Sequence, residues 1–177
     1  MVLAFPGFRW PLCGLLCLLA ATPPAIACES GATTIFACEA ANGRKFIELC
    51  AAAPTGGDDG YLEYRFGSQD ANGDISKVEL VFPSNRRDSY KRFHGSVYTD
   101  KGVYTQSVRF VTGEFSYRVF TEARGNRDLG AGVDVRNLRT GKTTTVACSE
   151  RPRFYIFELK DHVACDPDTP VGRACIK

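Results

Sequence analysis

Three arginines are the side chains in this sequence best suited to recognition chemistry. When residues 90–98, 103–111 and 115–122 are read as antiparallel strands, Arg92, Arg109 and Arg118 fall in one cross-strand row. A guanidinium offers a planar fork of N–H donors that grips a carboxylate or phosphate at two points. Like charges directly opposite on a sheet repel, so such a row needs compensation. One source is acidic neighbours, with Glu122, Asp134 and Asp88 the candidates; a charge row on a sheet is most often such a solvated face, and this is the expectation taken first. The functional alternative is a bound anion: a carboxylate, phosphate, sulfate or acidic protein loop. Arg86, Arg87 and Lys91, in the preceding connection, would widen that patch.

Other chemistry finds less support. The histidines are His94 and His162, and the chain has neither a G-x-S-x-G elbow nor an H-E-x-x-H pair. His94 lies two residues from Ser96, and His162 beside Asp161 in a cysteine-rich tail; a surface role is expected for both. Asp70-Ala-Asn-Gly-Asp74 has the alternating oxygen donors that open a calcium loop, but Ile75 stands where glycine is required and Val81 where the closing glutamate belongs. A polar turn is the expectation there. The cysteines lack the paired C-x-x-C spacing of zinc or redox sites. No cofactor or metal is expected.

The elements that position these residues read as strands. Short runs rich in Val, Phe, Tyr, Ile and Thr alternate with Gly, Asn and Asp, and no segment sustains a helical period. Strands are expected near 33–38, 44–50, 61–66, 77–82, 90–98, 103–111, 115–122, 132–138, 142–148 and 154–159. The fold class is therefore all-β, an antiparallel meander of about ten strands closed as a barrel or folded as a sandwich.

Register follows from the turns, since a slip of one residue flips every side chain to the other face. A tight Asn42-Gly43 turn pairs Cys38 with Ile47 and Phe36 with Leu49, and sets Cys50 opposite Ile35 on the other face. Bringing Leu62, Tyr64 and Phe66 against Val78, Leu80 and Phe82 needs a longer or bulged connection, roughly residues 67 to 77. A Thr99–Gly102 loop pairs Val97 with Tyr104 and Phe93 with Val108. A Gly113-Glu114 turn pairs Phe110 with Tyr117 and Val108 with Val119. Across Thr140-Gly141, Val135 meets Val146 and Val133 meets Cys148.

The cysteines indicate the compartment. Arg9 precedes the apolar run Leu12–Ala21, too short to span a bilayer; Pro23 and Pro24 follow, and Ala25-Ile26-Ala27 has the small-x-small pattern of a signal-peptidase site. Residues 1–27 are read as a signal peptide and 28–177 as one exported domain, without stable membrane insertion. Ala25 and the Thr-Pro-Pro spacer fit a lipoprotein box poorly, so Cys28 is taken as a free-amine start rather than a lipidation site. Cys13 and Cys17 leave with the signal, and Cys28, Cys38, Cys50, Cys148, Cys165 and Cys175 remain. An even set on an exported chain reads as a disulfide framework. Cys165 and Cys175 flank a short Pro-containing loop and are paired. Cys38 and Cys148 both point coreward, which leaves Cys28 with Cys50, a remainder among about 15 connectivities.

Lys and Arg number 22 and Asp and Glu 20. Near-neutrality of this kind argues against a nucleic-acid or membrane-surface binder. Residues 51–60 form a long polar loop.

Phe36-Ala-Cys38, the Asn42–Cys50 segment NGRKFIELC, Tyr64-Arg65-Phe66-Gly67 and Glu79-Leu80 resemble a group of small, largely uncharacterised exported bacterial proteins. In that group an F-x-C…N-G-K…I-x-L-C hairpin precedes a Y-x-F-G strand. The resemblance covers about a third of the chain and implies periplasmic or secreted residence and no catalytic role; Lys77-Val78 stands where the group often has Pro before Glu-Leu. The functional expectation is a non-enzymatic binding or accessory module, its partner an anionic ligand or acidic protein surface. The alternatives are a proteinaceous inhibitor of a cell-wall hydrolase, and last a hydrolase using His94 or His162. The inhibitor reading lacks the Ser-Gly-x-Arg-Tyr-like loop of c-type lysozyme inhibitors, and an arginine face would repel a basic lysozyme.

Overall fold

A computed structural model of the chain describes residues 28–53 and 60–177. The expected signal peptide, residues 1–27, and most of the expected 51–60 loop lie outside the described residues.

Alternating apolar residues bounded by turns produce ten strands: β1 (Thr33–Ala40), β2 (Lys45–Ala52), β3 (Tyr61–Gln69), β4 (Ile75–Phe82), β5 (His94–Asp100), β6 (Val103–Thr112), β7 (Phe115–Arg124), β8 (Arg127–Asn137), β9 (Thr143–Ala147) and β10 (Ala164–Cys165). They form two sheets, β1-β2-β3-β4 and β10-β5-β6-β7-β8-β9. All pairs are antiparallel except β10, which lies parallel to β5. The arrangement is sandwich-like, which decides between the two expected closures. One face of each sheet supplies the core: Phe36, Ile47, Leu49 and Tyr64 from the first, Val108, Phe110, Val119 and Val133 from the second.

Two expected strands differ. Residues 154–159 are not a strand; Ile156–Leu159 is a short 3-10 helix that buries Ile156 and Leu159 against the sheets. Residues 90–92 belong to a second 3-10 helix, Ser89–Arg92, whose buried Ser89 hydroxyl accepts a hydrogen bond from the Leu62 N–H at 2.8 Å. β8 begins at Arg127 rather than 132, because Arg127-Asp128 reads as loop yet pairs with β7.

The first hairpin has the expected register, Cys38 opposite Ile47 and Phe36 opposite Leu49, but a bulge at Ile35 sets Cys50 against Thr34. The β3–β4 connection is bulged, as expected, though shorter: Phe66 faces Leu80 and Tyr64 faces Phe82, the irregularities lying beyond Phe66 and Ser68. The Gly113-Glu114 hairpin holds, with Phe110 opposite Tyr117 and Val108 opposite Val119.

Two hairpins are displaced by two residues, which preserves faces but changes partners. Between β5 and β6 the turn is the dipeptide Lys101-Gly102, both at positive φ (48° and 78°), a backbone that matches strand twist in a two-residue loop. It pairs Val97 with Gln106 and Gly95 with Val108, not Phe93 with Val108. Between β8 and β9 the Asn137 side chain accepts from the N–H groups of Arg139 and Thr140, holding a wider loop that pairs Val133 with Val146 and Val135 with Thr144.

Disulfides join Cys28 to Cys50, Cys38 to Cys148 and Cys165 to Cys175, the pairing expected from the faces. The second ties β1 of one sheet to the residue after β9 of the other. The third closes the tail, which docks along β5: the Val97 N–H donates to the Cys175 carbonyl at 3.2 Å and the Asp166 N–H to that of Gly95 at 3.2 Å. Gly95 permits this approach, because a Cβ there would lie 2.4 Å from the Ile176 side chain and 2.8 Å from that of Val163.

Candidate functional site

Alternation along β6 and β7 turns Val108, Phe110 and Val119 to the core, so Arg109 and Arg118 share the outer face of the second sheet, where they lie directly opposite each other. The expected third member does not join them. Arg92 sits exposed on the 3-10 helix before β5, and the two-residue Lys101-Gly102 turn places His94 opposite Arg109 instead. The observed row is His94, Arg109, Arg118, Asp134 and Thr145.

Compensation is built into the fold. Asp134 accepts from Arg118 Nε at 3.1 Å and Nη2 at 2.7 Å, and from the Thr145 hydroxyl at 2.6 Å. Glu122 lies 3.2 Å from Arg118 Nη2, and the guanidinium carbon stands 4.6 Å over the Phe120 ring. Burial works against this charge, but the hydrogen bond and field of Asp134, helped by Glu122, outweigh it and hold Arg118 above its ordinary pKa. Arg109 is matched by Asp166 of the tail: Nε donates to the carboxylate at 2.9 and 3.0 Å, and Nη2 lies 2.8 Å from it. Glu122 and Asp134 are thus two of the three expected neutralisers; Asp88 pairs with Lys91 instead.

A cleft of about 300 Å³ opens over this row. Its floor is Arg109, Arg118 and Asp134, one side is Tyr98 and Glu122, and the other is the cross-strand row Ser116, Arg136 and Thr143. Asp166, Asp168, Thr169 and Pro170 bring the tail against it. In the neighbouring row on the same face, the buried hydroxyls of Ser96 and Ser107 bond each other at 2.8 Å, and Ser107 also lines the cleft. Two charged lining residues have side chains with no ion pair or hydrogen bond among the described residues: Arg136, exposed on β8, and Asp168, exposed on the tail.

The remaining expected arginines lie elsewhere. Arg86 is a clamp on the first sheet, donating to Glu63 at 2.8 and 3.1 Å and to Glu29 at 2.9 Å, with its guanidinium 4.0 Å over the Tyr61 ring. Its four acidic contacts tie the start of the domain to β3. Neither Arg86, Arg87 nor Arg92 lines the cleft.

The histidines are outside it too. Burial, followed by the field of Arg109, pushes the His94 pKa down, against a smaller opposing pull from Asp166. Its Nδ1 is buried and has no partner among the described residues. His162 packs its ring 5.0 Å from that of Tyr90. The Asp70–Asp74 segment is a turn: the Asp70 carboxylate accepts from the N–H groups of Asn72 at 2.8 Å and Asp74 at 3.0 Å. Among the described residues no group of three or more His, Cys, Asp or Glu is arranged to hold a metal ion.

Compared with known proteins, the chain matches no family model, no curated protein and no solved structure.

Ser116, Arg136 and Thr143 were within reach of the sequence, since alternation places Arg136 on the face of Asp134 and the hairpin turns set the rest. The tail residues were not: nothing local to Asp166 indicates that it crosses to an arginine 57 residues away.

Proposed function

We propose that this protein is a non-enzymatic binding module of an oxidising, extracytoplasmic compartment, and that the cleft on the second sheet takes a small polar ligand by an anionic group. Three disulfides suit that compartment, since cytosolic thiols are kept reduced. The observation that carries the binding assignment is Arg136: a guanidinium lining a cleft whose two other arginines are already matched to carboxylates. Rigid strands hold it beside the hydroxyls of Ser116 and Thr143, so a carboxylate, sulfate or phosphate would meet a charged fork and neutral donors together. Asp168 offers an unpaired carboxylate to a ligand that also carries an amine. A binding role is favoured over hydrolysis because neither histidine lines the cleft.

The test is thermal unfolding of the domain in sulfate against chloride at matched ionic strength. Sulfate stabilises proteins generally by exclusion from their surfaces, so the comparison with Arg136→Gln decides. The wild type should gain more from sulfate than the variant; equal gains would overturn the assignment.

A further inference from the structure

The open edge of the sandwich holds a second concavity, remote in character from the first. A slot of about 320 Å³ runs between the sheets, lined by Tyr64, Phe66 and Leu80 from one and by Tyr117, Val135 and Val146 from the other. That volume lies at the lower end of the roughly 300–1,000 Å³ of small-molecule sites, and the mostly apolar lining with a few polar groups is their usual character.

Three further observations narrow the occupant. Phe82, Phe110 and Tyr117 form a continuous ring stack, with centroids 4.4 Å apart at 14° and 4.9 Å apart at 2°. The stack ends at Tyr117, in the wall of the slot. Tyr64, only 1% exposed, also lines it, and its hydroxyl makes no hydrogen bond among the described residues. Burial of the ring holds that hydroxyl firmly protonated, with a smaller contribution from Tyr117, and the oxygen itself is not among the buried unpartnered polar atoms, so it is a donor open to an acceptor in the slot. At the mouth, Glu79 is already joined to Lys45 at 2.5 Å and to the Ser68 hydroxyl at 2.6 Å, so the carboxylate there is matched and offers nothing to a charged head group.

We infer that this slot is a separate binding site for a small, flat, uncharged aromatic molecule carrying a hydrogen-bonding oxygen. The ring packs among Tyr64, Phe66 and Tyr117, and the oxygen accepts from the Tyr64 hydroxyl. An acyl chain with a carboxylate head is disfavoured by the matched rim.

Naphthol is a suitable probe, titrated into the full domain and followed by its fluorescence. Saturable one-to-one binding is expected. Tyr64→Phe, which removes only the hydroxyl, should weaken it roughly 2- to 12-fold, the worth of one hydrogen bond. Val146→Phe, at the half-buried edge of the slot, should abolish it by filling the space, and Arg136→Gln in the other cleft should leave it unchanged. Decanoate should not displace the probe. Absence of saturable binding, displacement by decanoate, or an affinity indifferent to Tyr64→Phe would each overturn the inference; the last comparison stands even if Val146→Phe fails to fold.

Discussion

Asp166 holds Arg109 from the far end of the chain, its carboxylate 2.8 to 3.0 Å from the guanidinium nitrogens, with the aspartate 1% and the arginine side chain 11% exposed. The pair does two jobs at once. It fastens the disulfide-closed tail over the second sheet, and it removes the repulsion that Arg109 and Arg118 would otherwise exert across the β6–β7 pair.

Breaking the pair from one side should be severe. Removing one partner of a buried ion pair leaves an uncompensated charge and costs about 3–5 kcal/mol. Asp166→Ala should lower stability in urea unfolding by an amount of that order, whereas Asp166→Leu combined with Arg109→Met should recover most of the loss. If both variants are equally destabilised, the aspartate matters for the tail backbone rather than for the charge.

The three disulfides should differ in worth. They close segments with separations of 110, 22 and 10 residues for Cys38–Cys148, Cys28–Cys50 and Cys165–Cys175 respectively. Chain-entropy arguments give about 5 kcal/mol for the longest and about 3 for the shortest. Paired Cys→Ser variants, compared by denaturant midpoint, should therefore fall in the order Cys38–Cys148 most destabilised, Cys165–Cys175 least.

His94 should make the fold sensitive to mild acid. Its folded pKa is pushed below the ordinary 6.5 by burial and by Arg109. Above pH 6.5 both folded and unfolded chains hold it neutral, and its contribution is complete. As pH falls from 6.5 through the folded value, the unfolded chain takes up the proton first and stability is lost. His94→Gln should flatten the stability profile in that window, as read by unfolding at stepped pH; an unchanged slope would assign the acid sensitivity to the carboxylates.

Gly95 should accept a larger residue only at a cost to the docked tail. A Cβ there would lie 2.4 Å from the Ile176 side chain and 2.8 Å from that of Val163, so in Gly95→Ala these side chains must shift and loosen the tail, at about 1–3 kcal/mol for overpacking. Proteolysis should then cut the segment after Asp161 faster than in the wild type, while the β1–β4 sheet stays protected.

How much of this was legible follows from which interactions are local. Alternation and turn residues gave nine of the strands and the coreward faces of Cys38 and Cys148, because period and parity survive an error of two residues; the short loop between Cys165 and Cys175 gave that pair, and Cys28 with Cys50 was the remainder. The same error of two was decisive for Arg92, since moving the turn from Thr99–Gly102 to Lys101-Gly102 exchanged it for His94 in the row. Residues 154–159 looked like a strand because Phe154, Tyr155, Ile156 and Phe157 favour one; the core contacts of Ile156 and Leu159 override that propensity and wind the segment into a turn of helix. Asp134, expected as a neutraliser, sits in the row itself, whereas Asp166 answers a charge far away in sequence and left no local pattern to read.

Binding of an anion through Arg136 in the cleft on the second sheet, the function proposed above, is open to a direct measurement. Two-dimensional nitrogen–proton NMR of the labelled domain, titrated with sulfate and with chloride as control, reads this residue by residue. Saturable shifts are expected only at Arg136, its row partners Ser116 and Thr143, and the tail around Asp168. Shifts centred on Arg86, Arg87 and Arg92, or shifts that follow ionic strength alike in both salts, would contradict it.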